Sequence, residues 1–174
     1  MSEIVALRPL LRLVMDRHRL GLDGIHGITH WARVLENARR LAPLTDAELP
    51  VLELFAIFHD ACRHSDGYDP DHGPRAAELV RSLRSAIPLE EEPFGRLVEA
   101  CECHTRGPRR EAHATVLSCL DADRLDIPRV GMRTRPDLLF SEAARDPAMI
   151  GWATQRATGR FVPALCRDEW GWRG

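Results

Sequence analysis

The stretch 49–63, LPVLELFAIFHDACR, decides how this chain is read. Between Leu49 and Phe58 the only charge is Glu53. A helix over 46–61, capped by Thr45 and with Pro50 near its first turn, is therefore apolar nearly all round. A helix of that kind belongs at the buried centre of a domain. It ends on His59-Asp60. Imidazole and carboxylate are costly to bury without compensation, and a metal ion that takes nitrogen and oxygen ligands supplies it.

Outward from this centre, helical periodicity dominates. Residues 3–19 place Ile4, Leu7, Leu11 and Val14 on one stripe, and residues 28–42 place Ile28, Trp31, Leu35, Ala38 and Ala42 on another. The segment 63–74, RHSDGYDPDHGP, reads as a loop from its Gly, Pro and Asp content. Helices are expected over 73–86, over 93–105 with Phe94, Leu97, Cys101 and His104 on one face, and over 109–125, stopping near Pro128. A shorter one is expected over 136–147. The tail after 148 holds three of the four Trp residues and has no clear period. The segment 130–174 is expected to pack on the bundle. No segment alternates like a strand, so the expected fold is all-α: one domain over 1–174, a bundle of six or seven helices.

A length of 174 residues suits one domain with a sizeable core. Net charge is -2 with 29% charged residues, so there is no basic footprint for nucleic acid. No apolar run is long enough to span a bilayer, and the charged N-terminus lacks a signal-peptide core. A cytoplasmic location is expected. Oligomeric state is left open, because the Trp-rich tail serves equally as a cap on the core or as a dimer surface. Five cysteines, Cys62, Cys101, Cys103, Cys119 and Cys166, are read as free thiols packed as small hydrophobes. A zinc site of Cys101, Cys103, His104 and Cys119 is disfavoured, because C-E-C on a helix points its thiols to different sides.

The candidate ligands, in order, are His30, His59, Asp60, His72, His104 and Asp121. His30 lies at the edge of the 28–42 stripe, and His104 continues the Leu97–Cys101 stripe. Asp121 falls one turn after Leu117, and His72 sits where a loop meets a helix. One inward histidine alone is more often a hydrogen-bonded core residue than a ligand. Several converging from separate helices are a known way to hold a transition metal inside a bundle. The pair His26-His30 resembles the zinc pair of metalloproteases, but Gly27 stands where the general-base Glu is needed, which excludes that chemistry. His26 is read as a supporting or structural residue, and His113 as facing solvent.

HGITHWARV (26–34), FHDACR (58–63) and LDADRLD (120–126) together resemble the His…His-Asp…Asp signature of the HD-domain superfamily of metal-dependent phosphohydrolases, over roughly 25–126. The resemblance assigns His30 as the first ligand, His59 and Asp60 as the doublet, and Asp121 as the closing carboxylate. DHGPRAAELV (71–80) and ECHTRG (102–107) look like the binuclear branch and assign His72 and His104 to a second ion. Cys103-His104 replaces a His pair and no GYP loop is present, so cyclic di-GMP hydrolysis is not implied.

The resemblance implies one or two divalent ions, of Mn, Fe, Co, Ni or Zn. It implies hydrolysis of a phosphomonoester or phosphodiester, expected to be a nucleotide, by metal-activated water. Arg63, one turn after the doublet, is the expected catalytic and phosphate contact beside Asp60; Arg33 is a second phosphate contact. Arg124 is expected to form a salt bridge to Asp123, Asp126 or Asp66. For base stacking, Tyr68 and Trp31 are the candidates, although Trp31 reads more naturally as core. Two other classes compete: a non-catalytic nucleotide- or metal-binding module, and a di-iron oxygenase of the same fold.

Overall fold

The computed structural model describes residues 7–174. At its centre lies α3 (Leu49–Phe58), every residue of which from Val51 onward is buried. Pro50 sits in the first turn, where a missing N–H costs nothing. Around α3 pack α1 (Leu7–Met15), α2 (Ile28–Thr45), α4 (His72–Ser82), α5 (Glu91–Cys103) and α6 (Ala114–Arg124). Glu53, the one charge on α3, accepts from Arg39 of α2 at 2.9 Å, and Arg39 also grips Glu169 near the C-terminus with two bonds of 2.8 Å.

The tail is helical too. α7 (Glu142–Arg145), α8 (Pro147–Thr158) and α9 (Ala164–Asp168) all pack on α2. Nine α-helices and three short 3-10 segments result, and no strand occurs among the described residues. Against the six or seven helices expected, the ones without a counterpart among the expected segments are α8 and α9. α8 escapes periodicity because its buried stripe is Met149, Ala153 and Ala157, and alanine carries little hydrophobic signal.

Other boundaries shift as well. Thr45 ends α2 instead of capping α3, and the turn closes through Asp46 at φ 53°. Residues 109–113 stay outside α6 because the His113 side chain caps that helix, accepting from Thr115 N–H at 3.2 Å. The N-terminal helix is described from Leu7, so Ile4 lies outside the described residues. Leu7, Leu11 and Val14 are buried as the stripe requires.

Two glycines mark close approaches that hold the site together. A Cβ on Gly27, the residue before α2, would lie 2.0 Å from Leu22 O. A Cβ on Gly73, in the first turn of α4, would lie 2.8 Å from Cys101 O and 3.0 Å from Glu102 O on α5. Among the described residues, no helix is long and apolar enough to cross a membrane.

Candidate metal centre

His59 and Asp60 follow the last turn of α3, His30 rises from the first turn of α2, His72 opens α4 and His104 follows α5. The fold brings these five together. His30, His59 and Asp60 form one group of converging ligand atoms, and Asp60, His72 and His104 form a second. Asp60 belongs to both. Its Oδ2 lies 3.5 Å from His30 Nε2 and 3.8 Å from His59 Nε2; its Oδ1 lies 3.1 Å from His72 Nε2 and 3.7 Å from His104 Nε2. No cysteine joins either group among the described residues.

The chemistry of the donors fits a cation. His59 Nδ1 faces the carbonyls of Phe55 and Ala56 at 3.2 and 3.1 Å, His104 Nδ1 faces Cys101 O at 2.7 Å, and His72 Nδ1 faces Asp69 O at 2.5 Å. His30 Nδ1 faces the Asp126 carboxylate at 2.7 Å. Carbonyls and carboxylates only accept, so each δ nitrogen carries the proton and each ε nitrogen presents a lone pair. The ε nitrogens then meet in pairs, His30 with His59 at 3.0 Å and His72 with His104 at 2.8 Å. Paired lone pairs repel unless a cation, proton or metal, lies among them. Orientation of ligand imidazoles through their other nitrogen is the usual supporting arrangement of a metal site.

Electrostatics agree. Burial holds the His59 imidazole down to about 3, so it is neutral and free to ligate at physiological pH. Burial alone would raise the Asp60 carboxyl, but the surrounding imidazoles, His59 foremost, bring it well below the ordinary range. His104 moves the other way: burial opposes its protonation, and the Asp60 and Asp123 carboxylates outweigh burial and raise it.

Asp121 is not brought to this centre. Its carboxylate accepts from Phe140 N–H at 2.8 Å, from Ser141 N–H at 2.9 Å and from the Ser141 hydroxyl at 2.8 Å, anchoring the 140–141 segment to α6. The carboxylate that faces the imidazoles is Asp123, with Oδ1 3.5 Å from His30 Nε2 and 3.6 Å from His59 Nε2. Asp123 is the correction to Asp121.

Arg33 is also placed differently. It is buried and pairs with both oxygens of Asp126 at 2.8 and 3.1 Å, while donating to Phe161 O at 3.0 Å. That leaves it holding Asp126, and through Asp126 the ring of His30, instead of reaching a substrate. His26 supports from the other side, its Nδ1 2.8 Å from Asp60 Oδ2.

A cavity of about 330 Å³ adjoins the centre, lined among others by His26, Arg63, Asp123, Arg124 and Arg129. Arg63 donates to the carbonyls of Ser65 and Gly67 at 3.1 and 2.8 Å. Arg129 donates to the carbonyls of Ile25 and Asp126 at 2.8 and 3.2 Å. Arg124 donates to Leu138 O and lies over the Phe140 ring at 4.6 Å. The expected Arg124 salt bridge does not form. Carbonyl oxygens position these guanidiniums, Arg63 Nη1 also lies 3.2 Å from His72 Nε2, and Arg63 and Arg129 form only long ion pairs with carboxylates. Their nearest carboxylates stand at 3.6 Å for Arg63 and 3.9 Å for Arg129. Sequence reasoning missed Arg129, whose only signal is its position one turn after Asp126.

No family model and no curated protein matches the chain. Among solved structures it is similar to a crystal structure of a predicted HD superfamily hydrolase from an uncultured Thermotogales bacterium. The identity is 27% over 92% of this chain and 91% of that one, with a TM-score of 0.67. The chain thus shares its helical fold, over almost its whole length, with a predicted HD superfamily hydrolase, and its gathered histidines and His59-Asp60 doublet fit an HD-domain pattern.

Proposed function

We propose that this chain is a metal-dependent phosphohydrolase acting on a phosphate ester, of which a nucleotide is the expected kind. The observation that supports it most is the pairing of an acceptor-only donor set around Asp60 with a cavity whose arginines are held by main-chain carbonyls. The hydrolase named above, similar over nine-tenths of its length, supports the same reaction class. His30, His59, Asp60 and Asp123 would hold one ion, and Asp60, His72 and His104 a second. A divalent ion bound there supplies an acidified water near neutral pH and polarises a phosphoryl oxygen.

The chain's own residues do the rest. Arg63, Arg124 and Arg129 present planar donors to phosphate oxygens. Asp126 and His26 fix the orientation of His30 and Asp60. Three arginines against two aspartates, Asp66 and Asp123, in the cavity lining favour an anionic substrate over a neutral one to be oxidised, which weighs phosphate ester hydrolysis above oxygenase chemistry.

The test is turnover of p-nitrophenyl phosphate and of nucleoside monophosphates by protein stripped with chelator and reloaded with manganese or iron. Ester hydrolysis that returns with the metal, and that falls at least about a hundredfold in Arg63→Ala as charge-stabilising donors do, supports the assignment. Full metal loading without hydrolysis of any phosphate ester overturns it and leaves a binding module.

A further inference from the structure

Arg63 stands between two cavities. The 330 Å³ cavity described above borders His26 and Asp123, on the His30–His59 half of the centre. A second, of about 550 Å³, is lined by Arg63, Tyr68, Asp71, His72, Thr105 and Arg106, on the His72–His104 half. The two halves share Asp60, and the one residue that lines both cavities is Arg63, so a phosphate held by Arg63 would border open space on both sides.

The cavities differ in character. The first has an aliphatic rim of Ile25, Val130 and Met132, all partly exposed, and no Phe, Tyr or Trp. The second carries Tyr68, the only tyrosine in the chain, 92% exposed. So exposed a ring contributes nothing to the core, yet its loop is pinned on both flanks. Arg63 holds the carbonyls of Ser65 and Gly67, His64 N–H bonds Asp69 at 2.8 Å, and Arg75 grips the Asp69 carboxylate at 2.6 and 2.7 Å. A ring held in place in advance loses little freedom when a ligand stacks on it. Trp31, the other aromatic with a stacking claim, is fully buried.

A phosphomonoester has one organic arm and would leave one cavity empty; a phosphodiester has two. We propose that the substrate is a phosphodiester with one arm in each cavity, the arm beside Tyr68 carrying a flat ring such as a nucleobase. This rests on the phosphohydrolase reading. In the reaction the oxygen of water bonds to phosphorus, and the phosphorus–oxygen bond to one arm breaks. The departing oxygen takes a proton, and the other arm leaves as a monoester, with no change of oxidation state.

The experiment compares bis(p-nitrophenyl) phosphate with p-nitrophenyl phosphate on metal-loaded wild type, Tyr68→Ala and Tyr68→Phe. Expected is a higher kcat/KM for the diester. In Tyr68→Ala the diester-to-monoester ratio should fall by about tenfold through KM, the usual scale for loss of one stacking ring. Tyr68→Phe, which keeps the ring, should hold the ratio. Preference for the monoester, or a ratio that Tyr68→Ala does not move, overturns the diester assignment alone. No turnover of either ester by metal-loaded protein removes the hydrolase reading and this one with it.

Discussion

Three aspartates within one short segment, 121, 123 and 126, do three different things. Asp121 ties the 140–141 segment to α6, Asp123 faces the imidazoles, and Asp126 orients His30 and Arg33. Asp123→Ala is expected to reduce bound metal, read by elemental analysis, while leaving the metal-free stability close to wild type. Asp121→Ala should do the reverse. It strands buried donors at Phe140 and Ser141, at a cost of about 2–3 kcal/mol in urea denaturation, with metal content kept. If Asp121→Ala instead emptied the site, the placement of Asp123 would be wrong. Spacing alone could not separate the three. All are acidic, all sit near one helix end, and only the path of residues 138–141 decides which of them is used to anchor the chain.

At the level of elements, the pinned loop over 64–71 has its own pH signature. Partial burial would raise the Asp69 carboxyl, but the bonds from Arg75 and from His64 N–H bring it down to about 2. A carboxyl lowered on folding stabilises fully above its unfolded value near 3.8 and loses that contribution as pH falls toward 2. Amide exchange across 64–71, corrected for intrinsic rates, is therefore expected to show the same protection at pH 5 as at pH 7, and Asp69→Asn to lose it at both. Protection that fades between pH 7 and 5 would contradict this. Legibility follows how each element earns its burial. α3 announced itself because, Glu53 apart, its faces are apolar and mostly large. α8 stayed hidden because alanines cover it, and Arg33 misled because its partner, Asp126, lies 93 positions away.

At the scale of the whole molecule, the proposed ion would couple stability to what the centre holds. The candidate ligands come from α2 and α6, from the ends of α3 and α5, and from the start of α4, so an ion bound there would cross-link the bundle. An ion bound only by the folded chain, at 100 times its Kd, adds about 2.7 kcal/mol. For a chain of this size that is on the order of 5–10 °C in melting temperature. Chelation should lower the melting temperature by that amount and manganese should restore it in differential scanning calorimetry. A melting curve indifferent to both would deny the centre its ion.

The near-contact at Gly73 makes the two halves of the centre unequal. His30, His59 and Asp123 hang from helices locked together by large side chains. The distance between His72 and His104 is set by how closely α4 can lie on α5, and that closeness depends on one absent methyl group. The inner half thus inherits the rigidity of the core, whereas the outer half is tuned by a single backbone spacing. A methyl group at position 73 would push α4 from α5, parting His72 from His104 and shifting the cavity beside Tyr68 while leaving His30, His59 and Asp123 in place.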